Sequence, residues 1–305
     1  MRKSPPLIHR RALITAVPGL AVWAACKGSP KPNREPAPGP TPTGGPAAAT
    51  SPSANRTSPA QAALDQRITA AIAALEGQGR LGAALWHPAS QRLIGHRLDE
   101  RFAMCSLFKW TLAAETLRRA DAGTLQLDTL LTFTDADRQK HSPVANQALD
   151  EALKAGRKQA QLSVEVLARA AQTTSDNTAT NVLLRYLGGP PVINQFCRDF
   201  GDTVTRLDRY EPDMMMVAPG DERDTSTPAA MAKLLASVLA APGWSKANLE
   251  RLRGWMIETQ TGQKRLRAGM PAAWVTGDKT GTYVGDAQIA KLNDVAFVEA
   301  PGKSR

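Results

Sequence analysis

Ser106-Leu107-Phe108-Lys109 places a hydroxyl and an amine three residues apart. On a helix, positions i and i+3 share a face, so the two groups can meet. A serine is a poor nucleophile until a base removes its proton, and a lysine stripped of water can do so. A serine in the first helical turn also sits where the helix dipole favours negative charge, which suits an oxyanion. Alone the spacing is weak, because at ordinary composition it occurs by chance about once in a chain of this size. Two triplets change the odds. Ser175-Asp176-Asn177 lies between helical stretches, and Lys279-Thr280-Gly281 lies on a strand-like run. Each has a plain reading, the first as a helix N-cap and the second as an exit from a strand. Together they add another hydroxyl for shuttling a proton and a second amine to anchor a carboxylate.

In order and spacing these motifs resemble those of class A serine β-lactamases and penicillin-binding proteins. The segment RLDRYEPDMMMVAPGDERDTSTP (206–228) resembles the Ω-loop of the class A enzymes. Glu211-Pro212 matches that loop's general-base glutamate and following proline, and Arg209 and Asp224 match the ion pair at its neck. Penicillin-binding proteins carry the three motifs without this glutamate loop. The resemblance covers about residues 58–300. It implies an α/β fold in which an antiparallel sheet flanked by helices joins an all-α region, with the site between them. It also implies roles. Ser106 is acylated, and its proton goes to Lys109 or, through water, to Glu211. Ser175 passes a proton to the lactam nitrogen, and Asn177 binds the substrate's side-chain amide. Lys279 and Thr280, with Gly281 completing their motif, hold the carboxylate. The N–H groups of Ser106 and Thr282 form the oxyanion hole, and Glu211 activates the hydrolytic water. The implied activity is hydrolysis of β-lactam antibiotics by a monomer, without cofactor. No metal is implied, since none of the four histidines has ligand spacing with Cys, Asp or Glu.

The sequence departs from the family in three places. Met215 stands where the family has an asparagine that helps hold the water. His141-Ser142-Pro143-Val144 resembles the segment at the rim of the site, with His141 replacing an aromatic residue, and extra residues are expected within 148–160. The chain also stops at Arg305, where class A enzymes continue into a further strand and a long helix. That strand would lie between the first hairpin and NDVAFVEA (293–300), so two half-sheets with unpaired edges are expected, in a truncated or poorly stable form. Two alternatives stand beside the β-lactamase reading. One is a penicillin-binding or D-Ala-D-Ala peptidase-like protein that acylates and releases slowly. The other is a truncated, non-catalytic lipoprotein domain.

The elements that must position these residues follow from patterning. Ser58-Pro59 starts a helix with Ile68, Ile72 and Leu75 at helical spacing. LGAALW (81–86) and RLIGHRL (92–98), separated by His87-Pro88-Ala89-Ser90, predict a hairpin. Helical patterns dominate from about 105 to 260, and strands return at WVTGDKTGTY (274–283) and NDVAFVEA. Strands at both ends around a helical middle suggest a mixed layer beside an all-α layer.

The net charge of +10 is concentrated at the front, with +7 in residues 1–59 and +3 in the remaining 246. Without clustered Lys and Arg interleaved with aromatics, a nucleic-acid partner is excluded. Residues 1–26 read as an export signal. A basic start precedes an apolar run, Ala12–Ala25, that is too short to span a bilayer comfortably. Arg10-Arg11 is compatible with twin-arginine export. Cys26 stands where a bacterial lipoprotein is acylated, which leaves a lipid tether and plain cleavage both open. A periplasmic or cell-envelope location is expected either way. Residues 27–59, rich in Pro, Gly, Ala, Ser and Thr, form an extended linker ahead of a catalytic domain over 60–305. Cys105 and Cys197 leave a disulfide open.

Overall fold

The computed structural model describes residues 58–77, 79–285 and 289–302. The expected export segment with Cys26, and the linker as far as residue 57, lie outside the described residues. Helix α1 (Pro59–Ala73) starts at Ser58, whose hydroxyl accepts the Gln61 N–H at 3.2 Å. Strands β1 (Ala83–His87) and β2 (Arg92–His96) form the expected antiparallel hairpin, closed by a 3₁₀ turn at Pro88–Ser90.

The all-α region grows around one helix. After β3 (Phe102–Ala103), a 3₁₀ turn at Cys105–Phe108 runs into α2 (Lys109–Asp121). Every residue of α2 from Lys109 to Leu117 is buried. Its polar members are each satisfied, as burial requires. Thr111 and Thr116 donate to Phe108 O and Leu112 O at 2.6 and 2.8 Å, and Glu115 pairs with Arg118 and Arg119 at 2.7 Å each.

Beyond α2 the order is β4 (Leu130–Thr134), α3 (Pro143–Lys154), β5 (Gln159–Ser163), α4 (Val164–Thr173), α5 (Asn177–Leu187) and α6 (Pro190–Asp199). Strands β4 and β5 pair antiparallel in the middle of the helical stretch, which the sequence pattern did not indicate. Apolar faces of α2, α4, α5 and α6 share one core, in which Trp110 meets Phe196 edge-on at 6.4 Å between ring centroids.

The chain then forms a long loop before β6 (Thr225–Ser226), which pairs with β3. Helices α7 (Pro228–Ala240) and α8 (Lys246–Ile257) lead to the long hairpin of β7 (Val275–Val284) and β8 (Ala290–Glu299). Among the described residues, β1 pairs only with β2 and β8 only with β7. The two hairpins are therefore separate sheets, as expected, and Leu85 on β1 and Leu292 and Val298 on β8 are exposed. Helices packed with small antiparallel sheets make up the α/β architecture that the motifs implied.

Two carboxylates face each other's charge in the β7–β8 hairpin, and one of them, Asp294, carries a pH dependence. Asp278 accepts from Arg267 at 2.7 Å, and Asp294 accepts the Leu266 N–H at 3.0 Å. Their other oxygens, Asp278 Oδ2 and Asp294 Oδ1, are buried without a partner among the described residues. A Cβ at Gly262 would lie 1.6 Å from Asp278 Oδ2, so this packing requires glycine. Burial, and then the charge of Asp278, pushes the Asp294 carboxyl up to about 7. The folded state thus binds this proton more tightly than the unfolded chain, whose aspartates titrate near pH 4. The stabilisation is complete below about pH 4 and is lost as pH rises through about 7. Asp294→Asn is therefore expected to gain in melting temperature relative to the parent across that window. A constant offset between the two proteins from pH 4 to 7 would contradict it.

Candidate active site

Ser106 sits in the 3₁₀ turn ahead of α2, and Lys109 is the first residue of α2. Both are buried. Of the two expected acceptors for the Ser106 proton, Lys109 and Glu211, the hydroxyl meets the second directly: Ser106 Oγ donates to Glu211 Oε1 at 2.8 Å, and Lys109 Nζ lies 3.1 Å from the same oxygen. Lys109 also donates to Ser175 O at 2.9 Å and to Asn177 Oδ1. Burial lowers the Lys109 pKa, and Glu211 partly restores it. Desolvation thus pushes this amine towards the neutral form, while the carboxylate beside it favours the ammonium.

The second triplet faces the first. Ser175 lies in the left-handed region at φ 59°, and its Oγ accepts from Lys279 Nζ at 3.1 Å. Lys279 also donates to Thr280 O at 2.7 Å. Its pKa lies well below the ordinary value, first because of burial and then because of the charge on Lys109. Asp176, the middle residue, caps two helices. Its Oδ1 accepts the Ala179 N–H of α5 at 2.8 Å, and its Oδ2 accepts the Val144 and Ala145 N–H groups of α3, each at 2.9 Å. The plain N-cap reading is thus true of Asp176, and the triplet also supplies site groups on either side of it.

Asn177 holds Lys109 and donates to Lys140 O at 3.1 Å. His141 is exposed, and its carbonyl accepts the Asn177 N–H at 3.2 Å. It lies at the edge of the cluster, tied to it through its backbone.

Glycine is needed in the third triplet because β7 presses against the nucleophile's turn. A Cβ on Gly281 would lie 2.2 Å from Met104 O and 3.0 Å from Leu107 N. Thr282 is exposed, and its hydroxyl accepts from Arg265, which also donates to Gly281 O at 3.0 Å. Thr280 and Thr261 hydroxyls meet at 2.6 Å.

Glu211 arrives on the long loop and is fixed by an amide clamp. Asn181 Oδ1 accepts the Glu211 N–H at 3.1 Å, and Asn181 Nδ2 donates to Glu211 O at 2.8 Å. The sequence analysis overlooked Asn181. The only sequence signal was its place one helical turn beyond Asn177 on α5; its burial is known only from the fold. It also overlooked Arg265. Glu211 Oε2 is buried without a partner among the described residues. Cys105 and Cys197 are separate free thiols, and burial pushes each up to about 12.

The loop's neck is closed as the motif suggested. Arg209 Nε is paired with Asp224 Oδ2, while Asp224 Oδ1 accepts the N–H groups of Asp208 and Arg209 at 2.7 and 3.0 Å. Asp224 is fully buried and Arg209 is about one-fifth exposed, with 21% of its side chain accessible. Asp224→Asn turns an amide N–H towards the guanidinium and leaves that cation only its longer contact with Asp221, at 3.9 Å. A loss of about 3–5 kcal/mol is expected. Chemical denaturation measures it, and a loss below about 1 kcal/mol, the range of an exposed pair, would show that the neck contributes little.

A family model describing the beta-lactamase enzyme family matches residues 63–305. Beta-lactamase L2 of Stenotrophomonas maltophilia is 44% identical over 243 residues, covering 78% of this chain and 76% of the relative. An imipenem-hydrolyzing beta-lactamase of Enterobacter cloacae is 38% identical over 221 residues, covering 72% of each. Among solved structures, a class A beta-lactamase of the last common ancestor of Gram-negative bacteria superimposes with a TM-score of 0.68 at 43% identity. That match covers 79% of this chain and 87% of the other. A beta lactamase from Xanthomonas campestris gives 0.66 at 40% identity, covering 79% and 82%. Identity of this order, over most of each chain and in both sequence and structure, leads to one assignment: the chain belongs to the class A serine β-lactamase family.

Proposed function

We propose that the chain hydrolyses β-lactam antibiotics through an acyl-enzyme on Ser106, and that Glu211 drives its release. The observation carrying this reading is the contact of Ser106 Oγ with a buried glutamate that also touches Lys109. A slowly releasing peptidase-like protein has no need of such a glutamate, so the contact favours the hydrolase.

In acylation the Ser106 proton leaves into the Glu211–Lys109 pair as Oγ attacks the lactam carbonyl. The N–H groups of Ser106 and Thr282 receive the oxyanion. Ser175, hydrogen-bonded to Lys279, delivers a proton to the departing nitrogen. Lys279, Thr280 and Gly281 form the strand edge that receives the substrate carboxylate. Asn177 Oδ1 keeps a second lone pair for the substrate's side-chain amide, and exposed His141 lines the rim. In deacylation Glu211 takes a proton from water, which attacks the ester, and Ser106 Oγ leaves as it takes a proton back from the Glu211–Lys109 pair. Every one of these groups comes from this one chain, which fits a monomer.

The same reading places the enzyme outside the cytoplasmic membrane. Its support is the basic start and apolar run of residues 1–26, followed by a Pro-rich linker; Cys26 leaves lipid attachment and plain cleavage both open. Among the described residues, no helix is long and apolar enough to cross a membrane.

Intact-mass measurement with a penicillin tests the roles. Glu211→Ala removes the charge that keeps Lys109 protonated, leaving a neutral amine to accept the Ser106 proton. This variant is expected to accumulate one penicilloyl adduct, and Ser106→Ala none. An adduct on Ser106→Ala would overturn the assignment of the nucleophile.

Met215 gives a second test. Its side chain packs against the core and offers no strong hydrogen bond to water. With one anchor for the hydrolytic water absent, a burst followed by slow steady turnover is expected. Met215→Asn should raise kcat by about tenfold with little change in acylation, as expected for one hydrogen bond of about 1–1.5 kcal/mol. An unchanged kcat on several substrates would mean that another group already holds the water.

A further inference from the structure

Lys291 lies on β8 directly opposite Tyr283 of β7, beyond the three motifs. Its ammonium donates to Met215 O at 2.9 Å and to Val217 O at 3.1 Å. It also stands 5.1 Å from the centre of the Tyr283 ring. Among the described residues, no carboxylate forms an ion pair with it. The carbonyl between these two, Met216 O, accepts from Arg209 Nη1 at 3.2 Å. Three consecutive carbonyls on the limb after Glu211 are therefore held by two cations. Arg209 belongs to the loop itself. Lys291 instead ties the loop to the hairpin that carries Lys279 and Thr280.

We propose that Lys291 is a positioning residue for release of the acyl-enzyme, a reading that rests on the function proposed above. The backbone of Glu211 is clamped on one side by Asn181 of α5. The limb that leaves Glu211 is fixed to β8 by Lys291. Between them, the two ties set how far the Glu211 carboxylate stands from the ester on Ser106. A general base acts only within hydrogen-bond reach of the proton it removes, so a limb free to drift slows deacylation. Formation of the ester draws on Ser106 in the turn before α2, Lys109 on α2, Ser175 ahead of α5 and Lys279 on β7, and Lys109 alone can take the Ser106 proton when Glu211 is displaced, as argued for Glu211→Ala. These do not depend on Lys291.

Lys291→Met keeps the stem and removes the charge and its donors. In the full 305-residue chain with benzylpenicillin, steady-state kcat is expected to fall about tenfold to a hundredfold, the range for a displaced catalytic group. Rapid-quench intact mass should show acyl-enzyme accumulating while its rate of formation stays within about twofold of the parent's, well inside that range. Lys291→Arg keeps a cation with several donors and should recover most of the rate. Deuterium exchange at the amides of 213–218 should quicken in Lys291→Met and stay unchanged in α2 and α5. Should Lys291→Met fail to fold, the contrast between Lys291→Arg and Lys291→Gln carries the same comparison. Parent-like deacylation in the uncharged variant overturns the proposal, as does an equal fall in acylation and deacylation. A parent protein that forms no adduct overturns the reading of the site itself, and this proposal with it.

Discussion

A carboxylate and two amines buried together are the constraint around which this molecule is organised. Glu211 and Lys109 are closed to solvent, and Lys279 is buried nearby. Removing such charges from water costs several kcal/mol per ion, and mutual attraction recovers it only where the remaining donors and acceptors are satisfied. Two potential cations face one anion here, so burial drives both amines towards neutrality. That tendency makes the cluster useful for moving protons. It also explains the density of uncharged acceptors around the amines, with Ser175 O, Asn177 Oδ1, Ser175 Oγ and Thr280 O each receiving one of their hydrogens.

The surrounding elements can be understood as ways of keeping that cluster dry and in register. Helix α2 supplies Lys109 from a segment buried on every side, which no surface helix could do. The 3₁₀ turn before it sets Ser106 towards the loop, and Gly281 lets β7 close over that turn at a distance that excludes any side chain. The loop carrying Glu211 has little regular structure of its own. It is held at its neck by Asp224, at its midpoint by Asn181 and on its outgoing limb by Lys291 of β8 and the loop's own Arg209.

The catalytic motifs were legible in the sequence because their chemistry demands particular residue types at particular offsets. Ser106 with Lys109, Ser175 with Asn177, Lys279 with Gly281, and Glu211 between Arg209 and Asp224 all lie together in the fold. What the sequence hid were contacts between residues distant in the chain. Asn181 looks like any polar position on a helix until its face is known to be buried. Strands β4 and β5 are five residues each and are separated by a whole helix, so neither alternation nor a turn signal marks their pairing. The helical-face argument placed Ser106 and Lys109 in one site, and the resemblance added Glu211 as a second acceptor of the hydroxyl's proton. The backbone there is a 3₁₀ turn, and a third residue, 105 positions away, takes the hydrogen bond.

Asp176 has a wider consequence. One carboxylate terminates two helices, α5 through one oxygen and α3 through the other. The amides of Val144, Ala145 and Ala179 therefore share a single acceptor residue, and freeing any of them means moving the same side chain. Helix starts usually fray independently, with opening energies far below that of the whole fold. In this chain the rim segment around His141 and the start of α5 are instead joined in one cooperative unit. The mouth of the site cannot loosen without also disturbing the helix that orients Asn177 and Asn181, so breathing at the entrance is coupled to the integrity of the catalytic floor.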